Sequence, residues 1–286
     1  MRNMSGVVTA FVKTVDAQQG RIKVEYRGVD DDHISAWAPI ASPMSGKDRG
    51  MIFMPEEGDE VLVAFESGDH AHPFVLGFLW NGEQVSPVDK PEKRVIVTPG
   101  GHELRFEDMK QDKRIILKSA GGHQITLEDK LQNPKVEIKT SGGRQILMDD
   151  TTATGKIQIK SGLHEIMMDD TPGAGKVEIK AGSVVTITMN MVPPSLSISL
   201  AGATVNVDAT GVKVTSPAML QIQAAGVVNV QCATANITAS AATNLTTGVL
   251  NVNAAMANFS GVLRASAIQT NAVISPLYTP GLGNLI

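Results

Sequence analysis

An internal sequence repeat between residues 99 and 182 constrains the fold of this 286-residue chain more than any other feature. Its four copies begin with His or Arg, alternate polar with apolar residues, end in acidic residues and span 102–108, 123–129, 144–150 and 164–170. A second alternating segment follows each copy and ends in Lys118, Lys139, Lys160 or Lys180, at steps of 21, 21 and 20 residues. A fixed period near 20 residues predicts stacked repeats of strands.

Each repeat is predicted to contain a strand, an acidic turn, a second strand and a Gly-containing turn. Within 135–139, Val136 and Ile138 share one face, whereas the Lys and Glu residues between them share the other and are expected to face water. Burial of each Val or Ile contributes roughly 1.5–3 kcal/mol, so the aliphatic row should decide the fold. A ribbon with one aliphatic face cannot enclose a core alone, and it must wind on itself or on copies of itself. An aromatic content of only 4% favours a narrow prism.

Histidines and acidic pairs recur in the repeats and raise the question of a metal site. His102, His123 and His164 occupy one repeat position and could bind metal or respond to pH, but the remaining copy has Arg144 there. We therefore favour a structural surface role for this position. The Asp pairs at 149–150 and 169–170 could hold calcium, but the Gly-rich nonapeptide of calcium-binding β-rolls is missing, and solvated turns are the better interpretation.

The segment before the repeats, from residue 5 to 82, predicts short strands separated by turns. Residues 6–12 and 20–26 alternate apolar with polar side chains, and 61–65 and 74–80 are apolar runs of strand length. About five strands in so short a segment fit a small closed barrel, which hides its own edges.

This segment resembles the oligonucleotide/oligosaccharide-binding (OB) barrel of phage baseplate spike proteins, the family of baseplate assembly protein V and of the spike part of VgrG. The matching residues are 20–24, 37–39, 49–50, 55–65, 68–69 and 73–82. The resemblance implies a trimeric collar that docks on a tail hub protein, with no nucleic-acid or sugar ligand. The repeats resemble the segment that follows the barrel in this family, where three chains intertwine.

Two features of the barrel segment could suggest a cation site. His70 and His72 would share one face of a strand, but no third metal ligand is evident nearby, and a polar turn before Pro73 is the simpler interpretation. The acidic run at 30–32 is interpreted as a solvated loop tip. We therefore expect no metal and no cofactor.

After residue 182 the outward positions change from Lys and Glu to Thr, Ser, Asn and Gln. The only charged side chains in 182–286 are Asp208, Lys213 and Arg264. The alternation predicts strands at 184–188, 195–200, 204–207, 212–215, 220–223, 227–231, 235–238 and 250–253. Separate chains presenting such edges would aggregate, whereas three chains closed into one prism have no edges, so we expect an obligate homotrimer.

The predicted organisation is all-β: an OB-type barrel followed by a trimeric intertwined β-helix or β-prism shaft. Its parts are the collar at 1–82, a linker at 83–98, the proximal shaft at 99–181, the distal shaft at 182–271 and an apical tip at 272–286. The tip is apolar and could close on itself or dock a separate PAAR-type cap, which similar spikes carry, through Leu277, Tyr278, Leu282, Leu285 and Ile286. Some spikes of this family hold iron through an apical His-x-His motif, but no His follows His164.

Composition excludes several classes of protein. A formal net charge of −4 gives no basic footprint for nucleic acid, and a single cysteine, Cys232, excludes an intrachain disulfide framework. The sequence contains no run of 18 apolar residues, so it predicts no membrane helix. The segment 1–6 lacks the apolar core of a signal peptide. We expect assembly in the cytoplasm of the producing cell and a final place in the baseplate of a virion or injection particle.

Three functions compete. A structural spike would attach to the hub and pierce the target envelope on sheath contraction without chemistry. Some related spikes carry a lysozyme domain between barrel and prism, but the interval 83–98 is too short for one, so we expect no enzyme. A β-helical fibre that binds a receptor or glycan is the alternative, although Tyr278 is the only Tyr or Trp after Trp80.

The scarcity of charge towards the C-terminus favours transient contact with the target membrane. Each charge inserted into a bilayer costs about 2.5–3.5 kcal/mol on insertion scales, whereas Thr and Ser cost much less. A β-prism that simply tolerates uncharged polar faces would explain the same composition.

Overall fold

Strands are the regular elements of this chain. The computed structural model describes residues 6–26, 34–272 and 274, and every helix or strand among them is a β-strand. The prediction of an all-β fold is confirmed.

The N-terminal strands form a small barrel. Its five-stranded sheet has the order β3-β2-β1-β6-β7, and β4 and β5 form a separate hairpin. Opposite edges of the sheet meet where the Ala41 amide donates to the Val75 carbonyl at 2.8 Å. The strands are β1 (Val7–Asp16), β2 (Arg21–Tyr26), β3 (Ala38–Pro39), β4 (Ser45–Gly46), β5 (Arg49–Gly50), β6 (Glu60–Glu66) and β7 (Asp69–Phe78).

Alternation along the barrel strands produces its core. Every second residue of β2 is buried, beginning with the fully enclosed Ile22 and Val24, and these side chains meet Val12, Val61 and other aliphatic residues of β1 and β6. Among the described residues, all buried apolar side chains belong to this barrel. The described residues outside the barrel therefore form no buried apolar core.

The repeats form one antiparallel sheet of thirteen strands in strict chain order, from β8 to β20. Consecutive strands pair as hairpins, as the predicted strand–turn–strand unit requires. The strands are β8 (Lys93–Val97), β9 (Glu103–Met109), β10 (Asp112–Lys118), β11 (Gln124–Glu128), β12 (Lys135–Lys139), β13 (Gln145–Asp149), β14 (Lys156–Ser161), β15 (His164–Asp169), β16 (Lys176–Ala181), β17 (Val185–Asn190), β18 (Ser195–Leu200), β19 (Ala203–Asp208) and β20 (Gly211–Thr215).

Two expected boundaries do not coincide with changes in this sheet. The linker expected at 83–98 contains β8, which is the first strand of the sheet. The step expected at 182 lies in a hairpin between β16 and β17, which pair along their length. The loss of charge at 182 therefore changes the surface of the sheet and leaves its backbone pairing intact.

Strand structure ends at Thr215 within the described part of the chain. Residues up to 222 belong to one compact unit with the sheet and barrel, and a second unit begins at Gln223. The segments 220–223, 227–231, 235–238 and 250–253 were expected to be strands and are not strands in the single chain.

Candidate functional site

The thirteen strands align two apolar columns on one face of the sheet, which we call the apolar face. Register between neighbouring strands places the residues of each column directly opposite one another. One column contains Ile96, Leu104, Leu117, Ile125, Ile138, Ile146, Ile159, Ile166, Ile179, Ile187, Ile198, Val205 and Val214. The other follows Arg94 with Phe106, Ile115, Leu127, Val136, Met148, Ile157, Met168, Val177, Met189, Leu196, Val207 and Val212.

The apolar face is uncovered in the single chain. The six isoleucines from Ile125 to Ile179 in the first column are 37% to 42% exposed, although neighbours on both sides shield them within the column. Monomeric soluble proteins rarely expose continuous apolar surface of this length, and such surfaces mark interaction sites. The sequence allows the aliphatic row to be buried either by winding of the ribbon on itself or by packing against copies of the chain. Winding of the ribbon on itself is not observed in the described residues.

The opposite face carries a column of alternating charge, which we call the charge ladder. Positive and negative residues follow one another across nine successive strands: Lys93, Glu107, Arg114, Glu128, Lys135, Asp149, Lys156, Asp169 and Lys176. Opposite charges on paired strands attract, whereas like charges directly opposite are destabilising. The ladder therefore neutralises itself and favours this register over a slip that would pair like charges.

Glu128 lies at the most enclosed point of the charge ladder. Its side chain is only 6% exposed and contacts Lys130, Lys135 at 3.5 Å and Arg114 at 3.7 Å. Burial by itself would raise the pKa of Glu128, but the neighbouring cations outweigh burial, and the net effect lowers this pKa. Likewise, Lys180 at 2.7 Å is the main cause of the lowered pKa of Glu178.

These contacts correct one expectation about the two faces. The Glu and Lys side chains were expected to be fully solvated, yet Glu107, Glu128 and Glu178 are among the most buried residues of the sheet, while Ile138 is 39% exposed. Lys and Arg side chains contact the carboxylates of these glutamates. In one chain the polar face is thus better packed than the apolar face.

The alternation of charge along the ladder ends after β16. Its column continues with Asn190, Ser195, Asp208 and Gly211. Asn190 Nδ2 donates to Ser195 Oγ at 2.9 Å, and Ser197 Oγ donates to Asn206 Oδ1 at 2.6 Å in the neighbouring column. Neutral hydrogen bonds therefore replace ion pairs while the pairing of strands continues.

Two of the three repeated histidines connect successive turns. His102 Nδ1 accepts a hydrogen bond from the Ala120 amide, and His123 Nδ1 accepts one from the Ser141 amide, both at 3.3 Å. Each bond joins a Gly turn to the corresponding turn of the next repeat. This geometry supports the structural interpretation of the histidine position.

The acidic pairs at the opposite turns are engaged locally. Asp149 Oδ1 accepts from the Thr151 amide at 3.0 Å and from the Thr151 hydroxyl at 2.5 Å, and Asp169 makes the same two contacts with Thr171. The threonine hydroxyl is the main cause of the lowered pKa of both aspartates. One carboxylate oxygen of each aspartate thus closes its own turn.

The remaining candidate cation ligands of the barrel segment do not lie together. His72 Nδ1 lies 3.0 Å from Asp69 Oδ2 on the exposed start of β7, whereas the ring of His70 stacks against Phe65 at 4.6 Å between centroids. No group of three or more His, Cys, Asp or Glu that could hold a metal occurs in the described ranges. The acidic run at 30–32 lies outside the described residues.

The five tip residues, Leu277, Tyr278, Leu282, Leu285 and Ile286, also lie outside the described residues. Within the ranges described, no helix is long and apolar enough to cross a membrane.

Sequence patterns located the aliphatic row and an outer row with both signs of charge, but not the order of charges along the ladder. Each repeat contains both an acidic end and a lysine start, yet which lysine meets which carboxylate depends on the hairpin register. The signal was present: the acid that ends one strand and the base that begins the next flank the same turn, as Glu128 and Lys135 do. Pairing the two strands on either side of this turn would have placed Glu128 and Lys135 opposite each other.

The chain combines an N-terminal barrel with a long antiparallel sheet. Residues 4–80 match the family described as the type VI secretion system/phage-baseplate injector OB domain. This match and the spike relatives described next confirm the predicted resemblance to the baseplate spike family.

Curated relatives extend the similarity beyond the barrel. The type VI secretion system spike protein VgrG5 of Pseudomonas aeruginosa is 38% identical over 113 residues, 35% of this chain and 14% of that protein. VgrG4b of the same organism is 33% identical over 34% of this chain and 14% of its own length. VgrG3 of Vibrio cholerae is 29% identical over 34% of this chain and 11% of its length. The matched segment is thus less than a fifth of each of these relatives.

Proposed function

We propose that this chain is the spike subunit at the centre of a contractile injection machine. Three copies would form a non-enzymatic shaft that attaches to a tail hub through the barrels and pierces the target envelope on sheath contraction. The injector OB domain and the spike relatives support the class of protein.

The apolar face carries the proposal of a trimer. Its two columns extend over thirteen strands, and each Ile or Leu withdrawn from water contributes roughly 1.5–3 kcal/mol. Three flat sheets can enclose such faces by forming the sides of a triangular prism, with each charge ladder outside. Because Ile and Val are short, the enclosed space can be narrow and needs few aromatic residues.

The composition of the distal shaft supports passage through a membrane. Residues 214–263 contain no Asp, Glu, Lys, Arg or His. A long stretch of shaft without charge avoids the cost of about 2.5–3.5 kcal/mol for each charge brought into a bilayer. A PAAR-type cap at 272–286 remains part of the proposal, as does assembly in the cytoplasm of the producing cell.

A pair of neighbouring substitutions tests this proposal directly. Ile159→Asp changes the apolar face, and Gln158→Asp places the same side chain on the opposite face. Since Ile159 is 42% exposed in one chain, an isolated chain would tolerate the change, whereas a closed prism would bury three uncompensated carboxylates. We expect Ile159→Asp to abolish the trimer in native mass spectrometry and Gln158→Asp to retain it.

The same two variants test the role in a particle. In a producing strain that lacks the wild-type gene, wild-type and Gln158→Asp chains should restore particles with a central spike in electron micrographs, and Ile159→Asp should not. Normal spike assembly and target killing with Ile159→Asp would contradict the proposal. Turnover of peptidoglycan by the purified chain would contradict its non-enzymatic part.

A further inference from the structure

The apolar face is bordered by charged residues at both ends of its strands. At one end each copy of the repeat begins with a base, and we call these residues the basic margin: His102, His123, Arg144 and His164. At the other end each copy finishes in an acid, and we call these residues the acidic margin: Asp108, Asp129, Asp150 and Asp170. Each base precedes a residue of the first apolar column by two positions, and each acid follows a residue of the second column by two, so alternation places both margins on the apolar face.

Backbone pairing of the strands extends to both margins. The Asp150 amide donates to the Pro134 carbonyl at 3.0 Å, and the Arg144 carbonyl accepts from the Thr140 amide at 2.9 Å. Equivalent bonds between neighbouring strands hold Asp129, Asp170, His102 and His123. The charges of both margins therefore recur on every second strand with the regular spacing of the sheet.

One chain cannot pair its own two margins. Arg144 and Asp150 lie at opposite ends of the same strand, and six extended residues span about 20 Å. Within the described part of the chain, the carboxylates of Asp129, Asp150 and Asp170 take part in no hydrogen bond or ion pair, whereas Asp108 contacts Arg94. Three of the four acids of this margin thus lack a partner among the described residues.

The two margins lose their charge together along the sheet. A base and an acid stand six residues apart at the ends of β9, β11, β13 and β15. The same two positions hold Val185 and Met191 at β17, and Ala203 and Ala209 at β19. A charge that loses its partner at an enclosed position is costly, so an acid and a base that contact each other are expected to disappear at the same step.

The basic margin offers hydrogen-bond donors to a carboxylate. Because Nδ1 of His102 and of His123 accepts a backbone amide, the proton of the neutral ring lies on Nε2, which can donate. Arg144 carries a permanent charge and supplies donors of the same kind at the equivalent position. A histidine and an arginine are thus both suited to bind an aspartate here.

A closed ring of three sheets brings the two margins into contact. Rotation about a threefold axis makes every contact heterologous, so one margin of each sheet meets the opposite margin of the next sheet. Both margins repeat every two strands, about 9–10 Å, so alignment of one base with one acid aligns the others. The strands between them, β12 and β14, place only uncharged residues at these positions: Pro134, Thr140, Gly155 and Ser161.

We infer that the basic margin of one copy of this chain binds the acidic margin of a second copy at each corner of the prism. The inference rests on the proposed trimer and names the side chains that select the neighbouring margin and set the height of one sheet against the next. A slip of one strand would place each base of the central repeats against an uncharged residue.

Paired cysteines test this contact. In a Cys232→Ser background, one chain carries both Arg144→Cys and Asp150→Cys. Since the strand holds the two thiols about 20 Å apart, a short bis-maleimide can join them only between copies. We expect a covalent trimer on a denaturing gel, in about tenfold excess over the control Gln145→Cys with Asp150→Cys, because alternation turns residue 145 to the opposite face.

Two further pairs allow for sheets that are offset by one whole repeat. Arg144→Cys is combined with Asp129→Cys in one chain and with Asp170→Cys in another. A covalent trimer from one of the three pairs supports the contact, and its absence from all three overturns it.

Charge reversal adds a second readout, made at the acid that the cross-link assigns to Arg144. With Asp150 as that acid, Arg144→Asp and Asp150→Arg each place like charges together at three corners, and exchange of isotope-labelled subunits should become about tenfold faster. The double variant restores opposite charges and should return the exchange rate to within about twofold of wild type. Rescue reports a contact between copies, because the two positions are too far apart within one strand.

Native mass spectrometry of the same samples separates this contact from the proposed trimer. A trimer with both the cross-link and the rescue supports pairing of the margins. A trimer that lacks either result overturns that pairing and leaves the proposed spike intact, whereas a monomeric wild-type chain overturns both.

Discussion

Single residues at the turns determine whether successive repeats can stack. Gly122 has a φ of +83°, and a Cβ placed on it would lie 3.4 Å from Ser141 Cβ of the next turn. The Ser119 hydroxyl accepts from the His123 amide at 3.1 Å and holds the same turn closed. The left-handed conformation therefore favours glycine at this position.

Gly122→Ala should lower the free energy of unfolding by about 1–2 kcal/mol, because a residue with a Cβ resists the left-handed region. Gly121→Ala is the matched control, since its φ is not positive and its Cβ would meet His123 only at an ordinary 3.8 Å. Thermal melts at equal protein concentration compare the variants. Equal melting temperatures for both would show that the turn accepts an alternative conformation.

The enclosed Glu128 predicts a specific dependence of stability on pH. Its pKa is lowered in the folded state, so its stabilising contribution is complete above the unfolded value of 4.5 and is lost as the pH falls through the folded pKa. The wild-type chain should therefore lose stability below about pH 4.5. Glu128→Gln should be less stable at pH 7 by about 1–3 kcal/mol and should show a weaker loss in acid.

Glu66→Gln, at an exposed strand end of the barrel, is the control for this titration. Melting temperatures between pH 3 and 7 should differ in slope between wild type and Glu128→Gln and should run parallel for wild type and Glu66→Gln. Parallel curves for all three proteins would mean that Glu128 does not contribute through its charge.

At the residue scale, the sequence predicts properties that depend only on a residue's place in its strand. It does not predict properties that depend on which residues become neighbours in the fold. The aliphatic character of Val136 and Ile138 was predictable because strand alternation alone places them on one face. The bond from the Ala120 amide to His102 was not, since it joins turns 18 residues apart. The enclosure of Glu128 likewise depends on lysines and an arginine of three different elements.

At the scale of elements, the repeats behave as interchangeable pairs of strands. Removal of residues 136–156 joins Lys135 to Ile157 and regenerates the sequence Lys-Ile-Gln-Ile-Lys, which matches the other repeats. The charge ladder would continue from Glu128 through Lys135 to Asp169, and the apolar column from Ile125 through Ile159 to Ile166. Both patterns survive because the deletion equals one period.

This deletion should give a folded trimer whose sheets are shorter by two strands, about 9–10 Å along the direction of strand stacking. Small-angle X-ray scattering and electron microscopy measure the change. Removal of residues 136–146 is the control, because half a unit places Asp149 on the apolar face of the regenerated strand, at the position of Ile138. A soluble trimer from the half-unit deletion would contradict the importance of register.

Element boundaries show why charge is a weaker guide than backbone geometry. The composition changes near residue 182, yet β16 and β17 pair across that point through six pairs of residues. The pairing ends instead after Thr215, where Pro217 replaces the glycine that each earlier turn on that side contains at positive φ. A search for the missing turn glycine would have located this boundary from the sequence.

At the scale of the whole molecule, the chain combines a barrel that is complete by itself with a sheet that is not. The barrel has fully buried residues such as Ile22, Val24 and Val63. The sheet, in contrast, exposes two apolar columns along its entire length. The all-β class and the barrel were predictable because alternation and turn residues can be read within each segment, whereas the proposed coverage of the apolar face by other chains cannot be read from one chain.

The mass of the purified chain in solution tests the central claim most directly. Native mass spectrometry at micromolar concentration should give a single species at three times the chain mass of 30.2 kDa, without a monomer. The apolar face would be enclosed in such a species. A stable, monodisperse monomer of 30.2 kDa would contradict the claim that copies of this chain cover the apolar face.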